Sequence, residues 1–237
     1  MNLHRSLSIM GLATLGLALT PNFASAITIT RLSDLSDAQF NDLRSSQEFQ
    51  ELLVAEGRMG NNALNGDREL GINNASSAPV AQGQFVWQNG EVEEFLLQYD
   101  GSQVSYSVGD TTLLSNVFSG SVNNIYIRTR ETATSNVRLD NLFLNGIALG
   151  DNAVSEPNDS DRVDYLRISD ISVPFTLAGN VTMSWTDSQP DQSNLAYQIK
   201  VGETTDDSKN VPEPGTVGAL LLTGIIALGC SKRKRVS

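Results

Sequence analysis

From Gln84 onward the chain alternates apolar and polar residues with a period of two, and no other feature constrains its fold as tightly. Successive side chains of a strand point to opposite faces, so such a pattern means segments with one buried and one wet face. Phe95, Leu97 and Tyr99 alternate with polar residues, Asp100-Gly101 supplies a tight turn, and Val104, Tyr106 and Val108 alternate back. Asn89-Gly90 makes a second turn after Phe85-Val86-Trp87. The pattern recurs at Ile125/Ile127, Leu142/Leu144, Leu166/Ile168, Ile171 to Leu177, Val181 to Trp185 and Leu195 to Val201. Many short segments separated by Gly, Asn and Asp turns, with no helical period between them, predict a mainly β fold. The expected architecture is an antiparallel, jelly-roll-like β-sandwich. Trp87 and Trp185 fall on apolar phases and are expected in its core.

Ahead of Gln84 the period differs. Ser36-Asp37-Ala38-Gln39 fits a capping box, and Phe40, Leu43, Phe49, Leu52 and Leu53 recur at spacings that give one helical face. A helical segment is expected over 33–56, with a break at Ser45-Ser46 and a stop at Gly57. Residues 57–83, rich in Gly, Asn, Ala and Ser, read as a long surface connection. Segments 27–83 and 84–205 together make one domain's worth of chain, followed by a linker over 206–211.

Both ends carry a different signal. Residues 1–26 show a basic start at Arg5, an apolar run from Leu7 to Leu19, then Pro21 and Ala24-Ser25-Ala26. Those are the parts of a cleavable signal peptide, with cleavage expected after Ala26. The apolar run is shorter than the about 20 residues of a spanning helix, which disfavours an uncleaved anchor. The other end reads Val211-Pro212-Glu213-Pro214-Gly215, an apolar stretch over 216–230, then Lys232-Arg233-Lys234-Arg235. This stretch is near the lower limit for a C-terminal transmembrane helix. The basic cluster acts as a stop and stays in the cytoplasm by the positive-inside rule, leaving the body outside. The order of motif, span and basic end resembles a PEP-CTERM sorting signal. That resemblance implies an exosortase-type processing enzyme as partner, with Pro212, Glu213 and Pro214 as its recognition element. A permanent single-pass anchor is the alternative.

Composition narrows the chemistry. The only histidine, His4, lies in the leader and the only cysteine, Cys230, in the tail. The body therefore holds no imidazole or thiol for a nucleophilic triad or a zinc site. Setting aside Arg5, Glu213 and the four tail cations takes sixteen basic residues to eleven and 27 acidic residues to 26, a formal charge of about −15. Such a surface disfavours nucleic acid as a partner.

Several stretches also resemble the choice-of-anchor domains of bacterial surface proteins. They are Phe95 to Gly101, Val122 to Arg130, Leu142 to Gly146, Met183-Ser184-Trp185 and Tyr197 to Gly202. The likeness is closest to the type called choice-of-anchor W, frequent in cyanobacteria, and spans roughly residues 30–205. It implies a β-rich display module and brings no catalytic residues with it.

Three sets of residues are candidate sites. Asp151, Glu156, Asn158, Asp159, Asp161 and Asp164 gather oxygen donors of the kind calcium takes, without EF-hand spacing. The alternative is a solvated Asx-rich turn. Glu91 and Glu93 are expected on one face of a strand near Trp87, with Glu94 on the other. Paired carboxylates are what glycoside hydrolysis uses, though acidic residues opening a strand explain them equally. Arg128, Arg130, Arg138 and Arg167 stand out in so acidic a body; Arg128 and Arg130 share one face, which offers an anionic-glycan patch, with pairing to neighbouring carboxylates as the alternative. The expected function is a surface-displayed, non-catalytic sandwich. It would serve as a structural or adhesive component of extracellular matrix or biofilm, holding polysaccharide or calcium. A sandwich-type carbohydrate-active enzyme is the alternative.

Overall fold

The structure is a computed structural model that describes residues 27–59, 68–154 and 162–205. The expected signal peptide with Ala24 and Ala26 lies outside the described residues. So do Glu156, Asn158, Asp159 and Asp161, the sorting motif, the C-terminal transmembrane helix and the basic cluster. Among the described residues no helix is long and apolar enough to cross a membrane.

Among the described residues, fourteen strands and one helix follow in chain order. They are β1 (Thr28–Arg31), α1 (Asp37–Ser45), β2 (Phe49–Met59), β3 (Leu70–Asn74), β4 (Pro79–Gly83), β5 (Val92–Tyr99), β6 (Val104–Val108) and β7 (Thr111–Ser115). Next come β8 (Asn124–Arg130), β9 (Ser135–Leu144), β10 (Ile147–Ala148), β11 (Ala153–Val154), β12 (Val163–Ser169), β13 (Phe175–Trp185) and β14 (Leu195–Thr204). One sheet runs β1-β12-β8-β14-β2-β3-β4 and the other β10-β9-β13-β5-β6-β7, with β11 paired to β9. Every pairing is antiparallel. The mainly β, two-sheet expectation therefore holds.

The core lies between the sheets and takes the alternating residues named above: Phe95, Leu97, Tyr99, Val104, Tyr106, Val108, Ile125, Ile127, Ile199 and Val201 are all buried in it. The Asp100-Gly101 turn joins β5 to β6, with Gly101 at φ 102° and Asp100 Oδ1 accepting from the amides of Ser102 and Gln103. Trp87 is buried and its indole N–H donates to the carbonyl of Arg58. At the centre the hydroxyls of Tyr106 and Tyr197 satisfy each other, as buried polar groups must.

Two expectations about the first third of the chain are corrected. The helix spans only 37–45; its capping box is present, with Ser36 Oγ accepting from the Gln39 amide and Gln39 Oε1 from the Ser36 amide. Phe49, Leu52 and Leu53 belong to β2. Their helix-like spacing comes from a bulge, because Gly202 pairs with Glu51 but Val201 with Leu53, which leaves Leu52 over. The bulge puts Phe49 on the outer face and Leu53 on the inner, both buried. The supposed connection over 57–83 contains β3 and β4, and Leu70 and Ile72 are fully buried. Their two-residue alternation is too short to stand out among glycines and asparagines.

Candidate functional site: a cationic cleft on one outer face

Strand register fixes which side chains share the outer face of the β1-containing sheet. One row across β2, β14, β8 and β12 reads Glu56, Gln198, Arg128 and Tyr165. The neighbouring rows read Val54, Lys200, Tyr126, Arg167 and Arg58, Ala196, Arg130, Val163. Helix α1 lies against part of this face. Its Phe40 ring stacks on Tyr165 at 5.0 Å between centroids and meets Tyr126 and Phe49 edge-on or tilted, forming a second, smaller core.

Charge pairs dock the helix. Arg128 Nε donates to Asp37 Oδ1 at 2.6 Å, Nη2 donates to Oδ2, and the Tyr165 hydroxyl donates to Oδ1 at 2.7 Å. Burial acts to raise the Asp37 carboxyl. The hydrogen bond and charge of Arg128, then Tyr165 and the charge of Arg130, outweigh it and hold the group below the ordinary aspartate value. Asp37 also opens α1, where the positive end of the helix dipole favours a carboxylate. Lys200, buried above the Phe40 ring, is pushed down by burial against the opposing pull of Glu51. Glu51 lies 3.3 Å from both Lys200 Nζ and Arg44 Nη2.

The uncovered remainder is an open cleft of about 310 Å³. Its lining holds Arg44, Arg58, Arg128, Arg130 and Lys200, five of the body's eleven cations, against the carboxylates of Asp37 and Glu56. Ion pairs account for four of the five: Arg58 with Glu56 at 3.1 Å, Arg128 with Asp37, and Arg44 and Lys200 with Glu51. Arg130 is exposed and has no carboxylate partner among the described residues. A larger groove of about 670 Å³ on the other sheet's outer face is lined by Phe143, Leu96 and small residues, with Glu94 as its one charge. Only the first cleft concentrates cations.

The arginines singled out from sequence thus separate. Arg128 pairs with a carboxylate and Arg130 does not, although both face the same side. Arg138 pairs with Asp140 at 2.8 Å on the other sheet. Arg167 donates to Asn124 Oδ1 at 2.6 Å and lies over the Tyr126 ring. Arg58, Ala196, Gln198 and Lys200 went unnoticed in the sequence. The outward phase of Leu195 to Val201 was a usable signal for the last three, whereas Arg58 fell in the stretch misread as a connection.

Glu91 precedes β5 rather than lying within it, and Glu93 sits near its start on the phase of Phe95, while Glu94 faces out. Burial, then the charges of Glu91 and Asp110, raise the Glu93 carboxyl above the ordinary glutamate value. Trp87, being buried, presents no ring to a sugar beside this pair.

Of the calcium candidates, Asp151 and Asp164 are described. Both face Arg31, at 2.9 Å and 4.0 Å respectively. Burial tends to raise Asp151, but the Arg31 hydrogen bond, the Asn152 amide and the Arg31 charge hold it low. A guanidinium thus sits beside both of these carboxylates. Among the described residues, no group of three or more acidic, His or Cys side chains is placed to hold a metal ion.

No protein-family model and no curated protein sequence matches the chain.

Proposed function

We propose that this chain is an exported, surface-anchored, non-catalytic β-sandwich protein sorted by an exosortase-type system. It acts as a structural or adhesive component of extracellular matrix or biofilm and holds extracellular polysaccharide. The observation that carries this reading is the open, polar cleft on an outer face of a sandwich whose interior is filled by side chains. Ligand groups in such a cleft meet donors held by strand register, and no access to the core is needed. The leader and tail motifs supply the location.

The alternative, a sandwich glycoside hydrolase, is favoured by one observation. Glu93 has a raised carboxyl beside Glu91, the pattern of an acid next to a second carboxylate. A polysaccharide panel with the purified full-length chain separates the two. The proposal expects retention of at least one polymer without release of reducing ends, and Glu91→Gln and Glu93→Gln variants that bind like the parent. Release of reducing ends that falls about 100-fold or more in either variant would establish the hydrolase instead.

A further inference from the structure

We infer that the outer-face cleft binds carboxylated sugars, the uronic-acid units of an acidic polysaccharide. This deepens the proposed matrix role and rests on it. Arg58, Ala196 and Arg130 form one row as register partners across β2, β14 and β8. Neighbouring strands lie about 4.8 Å apart, so the two arginine Cα atoms stand about 10 Å apart with the short Ala196 side chain between them. The row is a slot with a methyl floor and a guanidinium on either wall.

The walls have donors to spare. Arg130 is exposed and forms no ion pair with a carboxylate among the described residues, although its charge is felt at Asp37. Arg58 commits Nη1 to Glu56 and Nε to the Arg68 carbonyl, leaving Nη2 outside those bonds. A guanidinium presents its N–H groups in a planar fork that matches a carboxylate, which a lysine ammonium does not. With Glu51 counted beside Asp37 and Glu56, the cleft still holds five cations to three carboxylates, in a body that is strongly acidic elsewhere.

The adjacent row adds the means to read hydroxyls. Gln198 donates through Nε2 to Glu56 Oε2, which fixes its amide and leaves its oxygen as an acceptor. Ser77 and Ser193 complete the rim. Apolar lining comes from Phe40, Ala196 and the ring of Tyr165 among mostly charged and polar groups, so a lipid or apolar peptide has little to bury. The volume is at the low end for ligand clefts, suited to one or two sugar units at a time.

Calorimetry on the purified full-length chain provides the test, with oligogalacturonate as the probe and the corresponding neutral oligogalactose as the comparison. The expected result is saturable oligogalacturonate binding that is roughly tenfold or more tighter than oligogalactose. Arg130→Gln removes the free guanidinium at an exposed position and should weaken binding by roughly tenfold. Ala196→Leu fills the slot without changing charge and should weaken it comparably. Both variants should keep the parent's circular dichroism. Parent-like binding by Ala196→Leu, together with equal affinity for dextran sulfate, would show general charge attraction and overturn the inference. Binding of neutral but not acidic oligomers would overturn it too, while leaving the matrix-protein reading intact. Binding of no glycan at all would remove both.

Discussion

Gly202→Ala is expected to destabilise the protein by about 3 kcal/mol, lowering Tm by about 6–12 °C. An alanine ordinarily suits a strand better than glycine does, so the sign is diagnostic. At Gly202 an added methyl would run into the backbone carbonyl of Gln50 and come within 2.9 Å of the Phe49 ring. Neither neighbour can yield cheaply. The carbonyl belongs to β2 just below its bulge, and Phe49 is wedged among Phe40 and Tyr126 in the outer core. Gly146→Ala is the control. Gly146 sits in a turn at φ 79° with nothing within 4 Å of the added carbon, so only backbone strain is felt. Its cost should be about 1 kcal/mol. Equal effects in thermal unfolding would mean that the close approach at the bulge is not what holds Gly202.

Asp37→Asn should cost about 2 kcal/mol at neutral pH, less than a fully buried pair because the Asp37 side chain is 43% exposed while Arg128 is 9% exposed. The loss is that of a bidentate partner to a buried guanidinium. The pH dependence follows from the direction of the shift. The folded-state carboxyl lies below the ordinary aspartate value, so its contribution is complete above that value and disappears as pH falls through the lower folded value. Parent and Asp37→Asn should therefore differ in urea unfolding at pH 7 and converge toward pH 2. Hydrogen exchange should speed up first in 37–45, since the pair docks α1 and not the two sheets. A difference that persists unchanged at pH 2 would show that the charge of Asp37 is not the source.

Strand phase was readable wherever one face is apolar and the other wet, as in 95–108 and 195–201. It failed at Phe49 to Leu53, because a bulge and a second core on the outer face make both sides apolar. A period-two pattern with one residue inserted then looks helical. Leu70 and Ile72 were hidden for another reason: their strand carries only two buried apolar side chains between glycine and asparagine neighbours, and its identity comes from pairing with β2. The cleft was half legible. Arg128 and Arg130 announced a shared face, but their differing partners depend on where α1 lands, and Asp37 is 91 residues from Arg128. The Arg58–Ala196–Arg130 row depends on register across three strands, which no local pattern carries.

Display of this sandwich outside the cell can be read from the intact mass of the protein recovered from the cell surface. The expected mass is that of a chain beginning at Ile27 and ending near the Pro212-Glu213-Pro214 motif. A variant with those three residues replaced by Ala should keep its tail and remain with the membrane. Recovery of the chain from the cytoplasm, with residues 1–26 and 215–237 still attached, would rule out both export and tail processing.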